Sequence, residues 1–558
     1  MLVLILCWLL FGGFISVSVC EDIASATFYI KSSADLNDCP SAYQPCLTLD
    51  EFATNELQNK DLSNVSLTLI FLPGLHRSEV RINFVDIDSV AMIGIRNSSF
   101  DLENSHVVIE LLCCDILAVD TFSEFRISYL AFNGNGKYSV IIQDDVNRIT
   151  LFQVTMVASA VLILSGNNVN VNISQVLFKA SKVNVNSTFA AIVTINDSIF
   201  QSGDQLQTMA FCYKELNHSN ISIPIQMLDI FVHNVTVSDL LLSDADLEPP
   251  GRNSSFCDTF ESQLHTGSDF VLLVESFFDQ ISYITIVNVK IYNSNFIHSQ
   301  KSCTAIIFEM LETSGIRIVN TVISGYTQGA IIVLNRYAPI IFLLDNSSIE
   351  GNTLSQSIME DLEINAGAGL TIYNFLHDLP IPMSYEIHNC VFRNNSDNQK
   401  NSEIILLYGM HDIYIESSIF VNNYGTPISA HDSKFTLSGV VTFENNSAER
   451  GGGLALFTST LKIDADTEIY FYRNSALKFG GAIYVENPTF DFVTNVNRPC
   501  FYHLSVWDLD TSYYELNFVN NTAAEGGDNI YGALLGGKCM VNAVEYNQKS
   551  MFTFVYTK

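Results

Sequence analysis

The chain has 558 residues and a formal net charge of −32. That charge excludes nucleic acid and anionic membrane surfaces as electrostatic partners. Length alone would suggest several domains, but a stacking repeat has no size limit on its core, and the chain reads as one elongated domain.

Residues 2–19 are uncharged and almost wholly apolar, and the small residues Ser18 and Cys20 suit cleavage before Glu21. Residues 1–20 therefore read as a signal peptide. No later stretch suits a membrane span: 154–166 is too short, and 106–119 carries Glu110 and Asp115. The expected product is secreted or attached to a cell surface, with no membrane insertion once the signal is removed. The ectodomain of a longer membrane protein is the alternative.

Residues 21–75 contain three strand-like runs: Phe28-Tyr29-Ile30, Pro45-Cys46-Leu47-Thr48-Leu49, and Leu67 to Leu72 ahead of Pro73-Gly74. This order resembles the opening of many pectin-lyase-like chains. The resemblance implies a strand, a short helix over Asp50 to Lys60, and a Pro-Gly turn that together close the hydrophobic end of a cylinder.

From 76 to 535 the chain repeats. Phe296, Ile323, Ile349, Phe392, Phe420, Phe443 and Phe471 fall at spacings of 27, 26, 43, 28, 23 and 28, and Phe132, Met156, Phe178 and Phe200 at 24, 22 and 22. Three residues after the anchor stands Asn in Asn352, Asn395, Asn423, Asn446, Asn474 and, after Phe518, Asn521. Three residues before it stands Asn in Asn293, Asn320, Asn346 and Asn389. Such a period fits several solenoids, but the segments are rich in β-branched and aromatic residues with stretches of period-two alternation. Helical repeats and leucine-rich repeats need residues that do not recur here. The expected fold is all-β, a parallel β-helix with an anchor column inside and Asn ladders at the bends, each amide donating to the next coil's carbonyl. Irregular spacing predicts insertions near 202–268, 352–386 and 487–514, and residues 536–558 read as a C-terminal tail or cap.

Phe471 to Asn474 followed by Gly480-Gly481-Ala482-Ile483, and Phe443 to Asn446 followed by Gly452-Gly453-Leu454, carry paired FxxN and GGA[ILV] signatures. These resemble the repeat of the polymorphic outer-membrane protein family, within right-handed, pectin-lyase-like β-helices. The resemblance implies a surface-exposed adhesin-type β-helix and no catalytic residues.

Twelve cysteines become ten after removal of Cys7 and Cys20, an even number for an oxidising compartment. Cys39 with Cys46, Cys212 with Cys257, and Cys500 with Cys539 are the expected pairs, whereas the adjacent Cys113 and Cys114 are poorly placed to close on each other. Buried free thiols are the alternative. Among the Asn-x-Ser/Thr acceptors, Asn64, Asn97, Asn234, Asn253, Asn394, Asn445 and Asn520 are candidate glycosylation sites. Asn394, Asn445 and Asn520 each follow an anchor by two residues and are expected to project outward as a stripe, whereas Asn346 occupies a ladder position.

Compact acidic groups are few. Asp464, Asp466 and Glu468 alternate as if on one strand face and form the one candidate for Ca²⁺, without the turn glycine of a dedicated loop. Asp144, Asp145 and Arg148 form the one candidate catalytic group, although adjacent strand residues point to opposite faces. No cofactor is expected. The function that follows is non-catalytic extracellular recognition or adhesion, with glycans or surface proteins as partners. A polysaccharide lyase or glycoside hydrolase on the same fold is the runner-up.

Overall fold

The computed structural model describes residues 24–531 apart from short loop segments and the longer stretches 32–45, 96–106, 215–226, 240–269, 355–365, 487–499 and 504–514. Residues 1–20, read as a signal peptide, and 536–558, read as a tail or cap, lie outside the described residues. Three long sheets of 17, 15 and 15 strands, with parallel pairing throughout, build a β-helix around one continuous apolar core. No helix among the described residues is long and apolar enough to cross a membrane.

One coil shows the plan. Strand Ile413–Glu416 lies in the first sheet, Ile419–Val421 in the second and Thr426–His431 in the third. Alternation along each strand sends Ile413, Ile415, Phe420, Ile428 and Ala430 inward. The anchors occupy the second sheet, and the pairing is unbroken: Phe132 meets Met156, then Phe178, Phe200, Val237, Phe296, Ile323, Ile349, Phe392, Phe420, Phe443, Phe471 and Phe518. Every anchor read from the sequence is on this column. The structure adds Val237, and extends the column down through Ile109 to the buried His76. In the upper coils the rings lie face to face, with Phe420, Phe443 and Phe471 spaced 4.9 and 4.8 Å apart at interplanar angles of 9° and 4°.

The column's foot is capped as expected, with a shorter and differently wound helix. One α turn, Leu49–Glu51, continues as a π-helix, Phe52–Leu57. Thr48 and Glu51 form a reciprocal capping box: the Thr48 amide donates to Glu51 Oε2 at 2.7 Å, and the Glu51 amide to Thr48 Oγ1 at 3.2 Å. Phe52 is buried and its ring centroid lies 5.2 Å from that of Phe28. At the Pro73-Gly74 turn, His76 Nε2 lies 2.7 Å from the Leu72 carbonyl, and burial lowers the imidazole's pKa.

The bends differ from expectation in a way that sharpens the repeat. In the second bend the left-handed residue is anchor plus two, as in Gly351, Asn394, Asn422, Asn445, Arg473 and Asn520, and the Asn after it turns inward and is buried. Each ladder amide donates two ways. Asn446 Nδ2 reaches back to the Phe420 carbonyl at 3.0 Å and forward to Asn474 Oδ1 at 3.0 Å, while its own Oδ1 accepts from the Asn423 amide. Earlier coils place Ser159 and Ser181 where later ones place Asn. The Asn residues before the anchor form a separate exposed ladder: they are themselves left-handed, and Asn320 donates to Asn293 and Asn346 to Asn320. The residue after the left-handed one is buried, and where it is Ser, as in Ser294, Ser347 and Ser418, its hydroxyl accepts from the coil below.

The regions read as insertions are not wholly extraneous. Residues 202–268 include a complete coil, Met209–Lys214, Met227–His233 and Thr236–Asp239, with described strands also inside the other two. Spacing between anchors hid these strands because loop lengths between sheets vary.

Candidate functional site

Of the acidic groups read from the sequence, only the one at 464–468 lies among the described residues. Asp144 and Asp145 lie outside the described residues, and Arg148 opens strand Arg148–Phe152, exposed. Asp464, Asp466 and Glu468 do not share a strand face. Strand Thr460–Ile463 ends before Asp464, Asp466 sits in a turn with φ of 57°, and Glu468 opens the next strand. Period-two alternation fails because the chain turns between the sheets there. Glu468 instead accepts from the Tyr470 hydroxyl at 2.6 Å. Among the described residues, no three His, Cys, Asp or Glu side chains are close enough to hold one metal ion.

One cysteine expectation changes. Cys113 and Cys114 are joined as a vicinal disulfide, against the expectation that neighbours would not close. Cys390 is a buried thiol at a Ser-ladder position, with Sγ 3.0 Å from the His388 carbonyl. Burial pushes this thiol up to about 12. Cys46, Cys212 and Cys500 lie in strands, and their expected partners Cys39, Cys257 and Cys539 lie outside the described residues. Asn64, Asn234, Asn394, Asn445 and Asn520 are exposed; Asn97 and Asn253 lie outside the described residues.

A groove of about 300 Å³ opens on the outer side of the third sheet, lined by Glu403, Thr426, Ser429, His431, Glu449, Arg450, Phe457 and Glu486. Its floor comes from four consecutive coils. Register places Tyr373, Tyr408, His431, Phe457 and Glu486 in one outward column, with Ser429, Ala455 and Tyr484 in the next. One wall comes from the short strand Ser447–Arg450, which pairs with Ser475–Phe479.

Glu403 is the groove's central group. It is 4% exposed, and its Oε1 accepts from Ser429 Oγ at 2.7 Å and lies 3.1 Å from His431 Nε2. Its Oε2 is buried without a hydrogen-bond partner. An orphaned carboxylate oxygen is costly, and a native structure that keeps one calls for an explanation. The other carboxylates are matched: Glu449 with Lys478, and Glu486 with Arg450 at 4.0 Å. The Arg450 guanidinium also lies over the Tyr484 ring, 5.3 Å from its centroid.

Ser429, His431 and Glu403 do not make a nucleophilic triad. A triad needs the imidazole between the hydroxyl and the carboxylate, one ring nitrogen for each. Here the same Nε2 faces both, and the Ser429 hydroxyl gives its hydrogen to the carboxylate. The aromatic column has its own limit. Tyr373 and Tyr408 stack at 4.4 Å and 3°, and His431 and Phe457 at 4.3 Å and 12°. Their faces cover one another, so the column presents ring edges and polar atoms outward rather than open faces for stacking.

No sequence motif carries this groove. Tyr408, His431, Phe457 and Glu486 follow their anchors by 16, 11, 14 and 15 residues, so their alignment is invisible until the third sheet's register is known. Comparison of the chain with protein-family models, with curated proteins and with solved structures finds no match in any of the three.

Proposed function

We propose that this protein is a secreted, non-catalytic recognition module that binds an extracellular glycan in the Glu403 groove. The observation that carries the reading is Glu403 itself, a buried carboxylate with one oxygen unsatisfied in a concavity already lined by Ser, His, Arg and two further carboxylates. Hydroxyl-rich ligands are held by such mixed sets of acceptors and donors, and a cavity of this size suits a small saccharide unit. The FxxN and GGA[ILV] likeness to polymorphic outer-membrane proteins supports a surface role, and the apolar leader supports secretion.

Direct binding to a glycan array, repeated with Glu403→Gln, tests the reading. Specific binding lost in the variant is expected; an array without signal refutes it. A carbohydrate-active enzyme is the competing reading, favoured by a buried acid beside other carboxylates. Polysaccharide turnover abolished by Glu403→Gln would establish it in place of recognition.

Glycosylation belongs to the same proposal. Asn394, Asn445 and Asn520 occupy equivalent exposed left-handed positions on the same bend, which would line one edge of the solenoid with glycans. Asn346 is exposed too, but its amide donates to Asn320 within a ladder. Peptide mass mapping after glycosidase treatment should find the first three modified and Asn346 bare.

A further inference from the structure

We propose that the glycan held in this groove is cationic, an amino sugar with a free ammonium group. The inference rests on the glycan reading above and names its ligand class. Three carboxylates line the cavity, and no three acidic or imidazole groups among the described residues converge closely enough for an ion. The carboxylates therefore surround a space rather than a point, which suits a ligand with several donors spread over its own frame.

Charge matching then singles out Glu403. Lys478 sits against Glu449, and Arg450 is held between Glu486 and the Tyr484 ring. Neither cation is paired with Glu403, whose neighbours in the groove are the Ser429 hydroxyl and the His431 ring. The Thr426 hydroxyl is also committed, donating to the Arg450 carbonyl at 2.7 Å. A neutral sugar hydroxyl brings a single hydrogen to an acceptor, whereas an ammonium brings three together with the opposite charge. Oε2 is buried, and the carboxylate that carries it lines the cavity. A uronic acid would bring a second negative charge to this site on a chain of net charge −32.

Titration calorimetry at mildly acidic pH with three probes tests this: a glucosamine tetramer, its fully N-acetylated counterpart and a galacturonic acid tetramer. The amine-bearing probe should bind at least about tenfold more tightly than the acetylated one. Glu403→Gln should remove that preference, and Glu486→Gln, on the exposed rim, should weaken it while leaving the fold intact. Added salt should weaken binding of the amine probe more than that of the acetylated one. Equal affinities for the first two probes, or a preference that survives in both variants, would overturn the cationic assignment and leave glycan recognition standing. No binding of any probe would likewise overturn the cationic assignment, and glycan recognition falls with it only if the glycan array also gives no signal.

Discussion

Removing one rung of the buried Asn ladder should cost far more than removing the exposed residue beside it. Asn446→Ala deletes four hydrogen bonds: two donated by Nδ2, to Phe420 O and Asn474 Oδ1, and two accepted by Oδ1, from the Asn423 amide and side chain. The Asn423 side chain keeps its bond to the Phe392 carbonyl, and Asn474 Oδ1 keeps the Asn446 amide. The Asn423 amide loses its Oδ1 acceptor inside the core. An orphaned buried donor costs about 1–3 kcal/mol and each other lost bond about 1 kcal/mol or less, so the total is about 3–5 kcal/mol. Because coils interact chiefly with their neighbours, the loss should be local. Native-state hydrogen exchange at the Asn423 amide should therefore quicken by about two to four orders of magnitude, while amides of the N-terminal coils keep their rates. Asn445→Gly, one residue away at an exposed left-handed position, should change exchange by less than about threefold. If the two variants behaved alike, or if Asn423 kept its protection in Asn446→Ala, the ladder would not be a stabilising element of the solenoid.

Phe443→Ala breaks the ring stack on both sides and should cost about 3–5 kcal/mol, read as lowered resistance of the C-terminal coils to denaturant or limited proteolysis. Gly453→Ala should also destabilise, by about 1–3 kcal/mol, because its Cβ would meet the Phe471 ring at 2.7 Å; Gly351→Ala, with open space at φ of 65°, should cost only about 1–2 kcal/mol for the backbone conformation. Cys390 should resist alkylation in the native protein. Its pKa is raised from 9.0 to about 12, so its contribution to stability is complete below pH 9 and is lost as pH rises through 12, which a thiolate absorbance titration can follow against unfolding. Glu51 behaves oppositely: the Thr48 backbone amide lowers its pKa below 4.5, so its contribution is present above that pH and is lost on acidification, and Glu51→Gln should remove that acid dependence from the unfolding of the N-terminal cap.

Much of the architecture is legible in the sequence. A β-helix stacks equivalent residues directly above one another, so the spacing of Phe132 through Phe518 is the register of the second sheet, and aligning anchors was equivalent to pairing strands. The N-terminal cap was legible for a similar reason, since Thr48 and Glu51 are close in sequence and their bonds are local. Where contacts stayed local or followed the period, sequence sufficed.

The groove obeys neither condition. Glu403, Ser429 and His431 come from adjacent strands of the third sheet, where Glu403 pairs with Thr426 and its side chain reaches along the neighbouring strand to Ser429 and His431. The arcs leading to that sheet differ in length from coil to coil, which erases the periodicity. Local conformation misled in two further places. The left-handed residue lies one position before the Asn that forms the ladder, and the apparent acidic strand face at Asp464–Glu468 is a turn. The cysteines show the same division. Cys390 takes its place through the Ser ladder of neighbouring coils, and Cys113 joins Cys114 in a loop that no repeat describes. The amino-acid order alone therefore specified the solenoid, its core column and its cap, because those arise from a period. Packing between coils specified the Glu403 groove, because that groove arises from differences between one coil and the next.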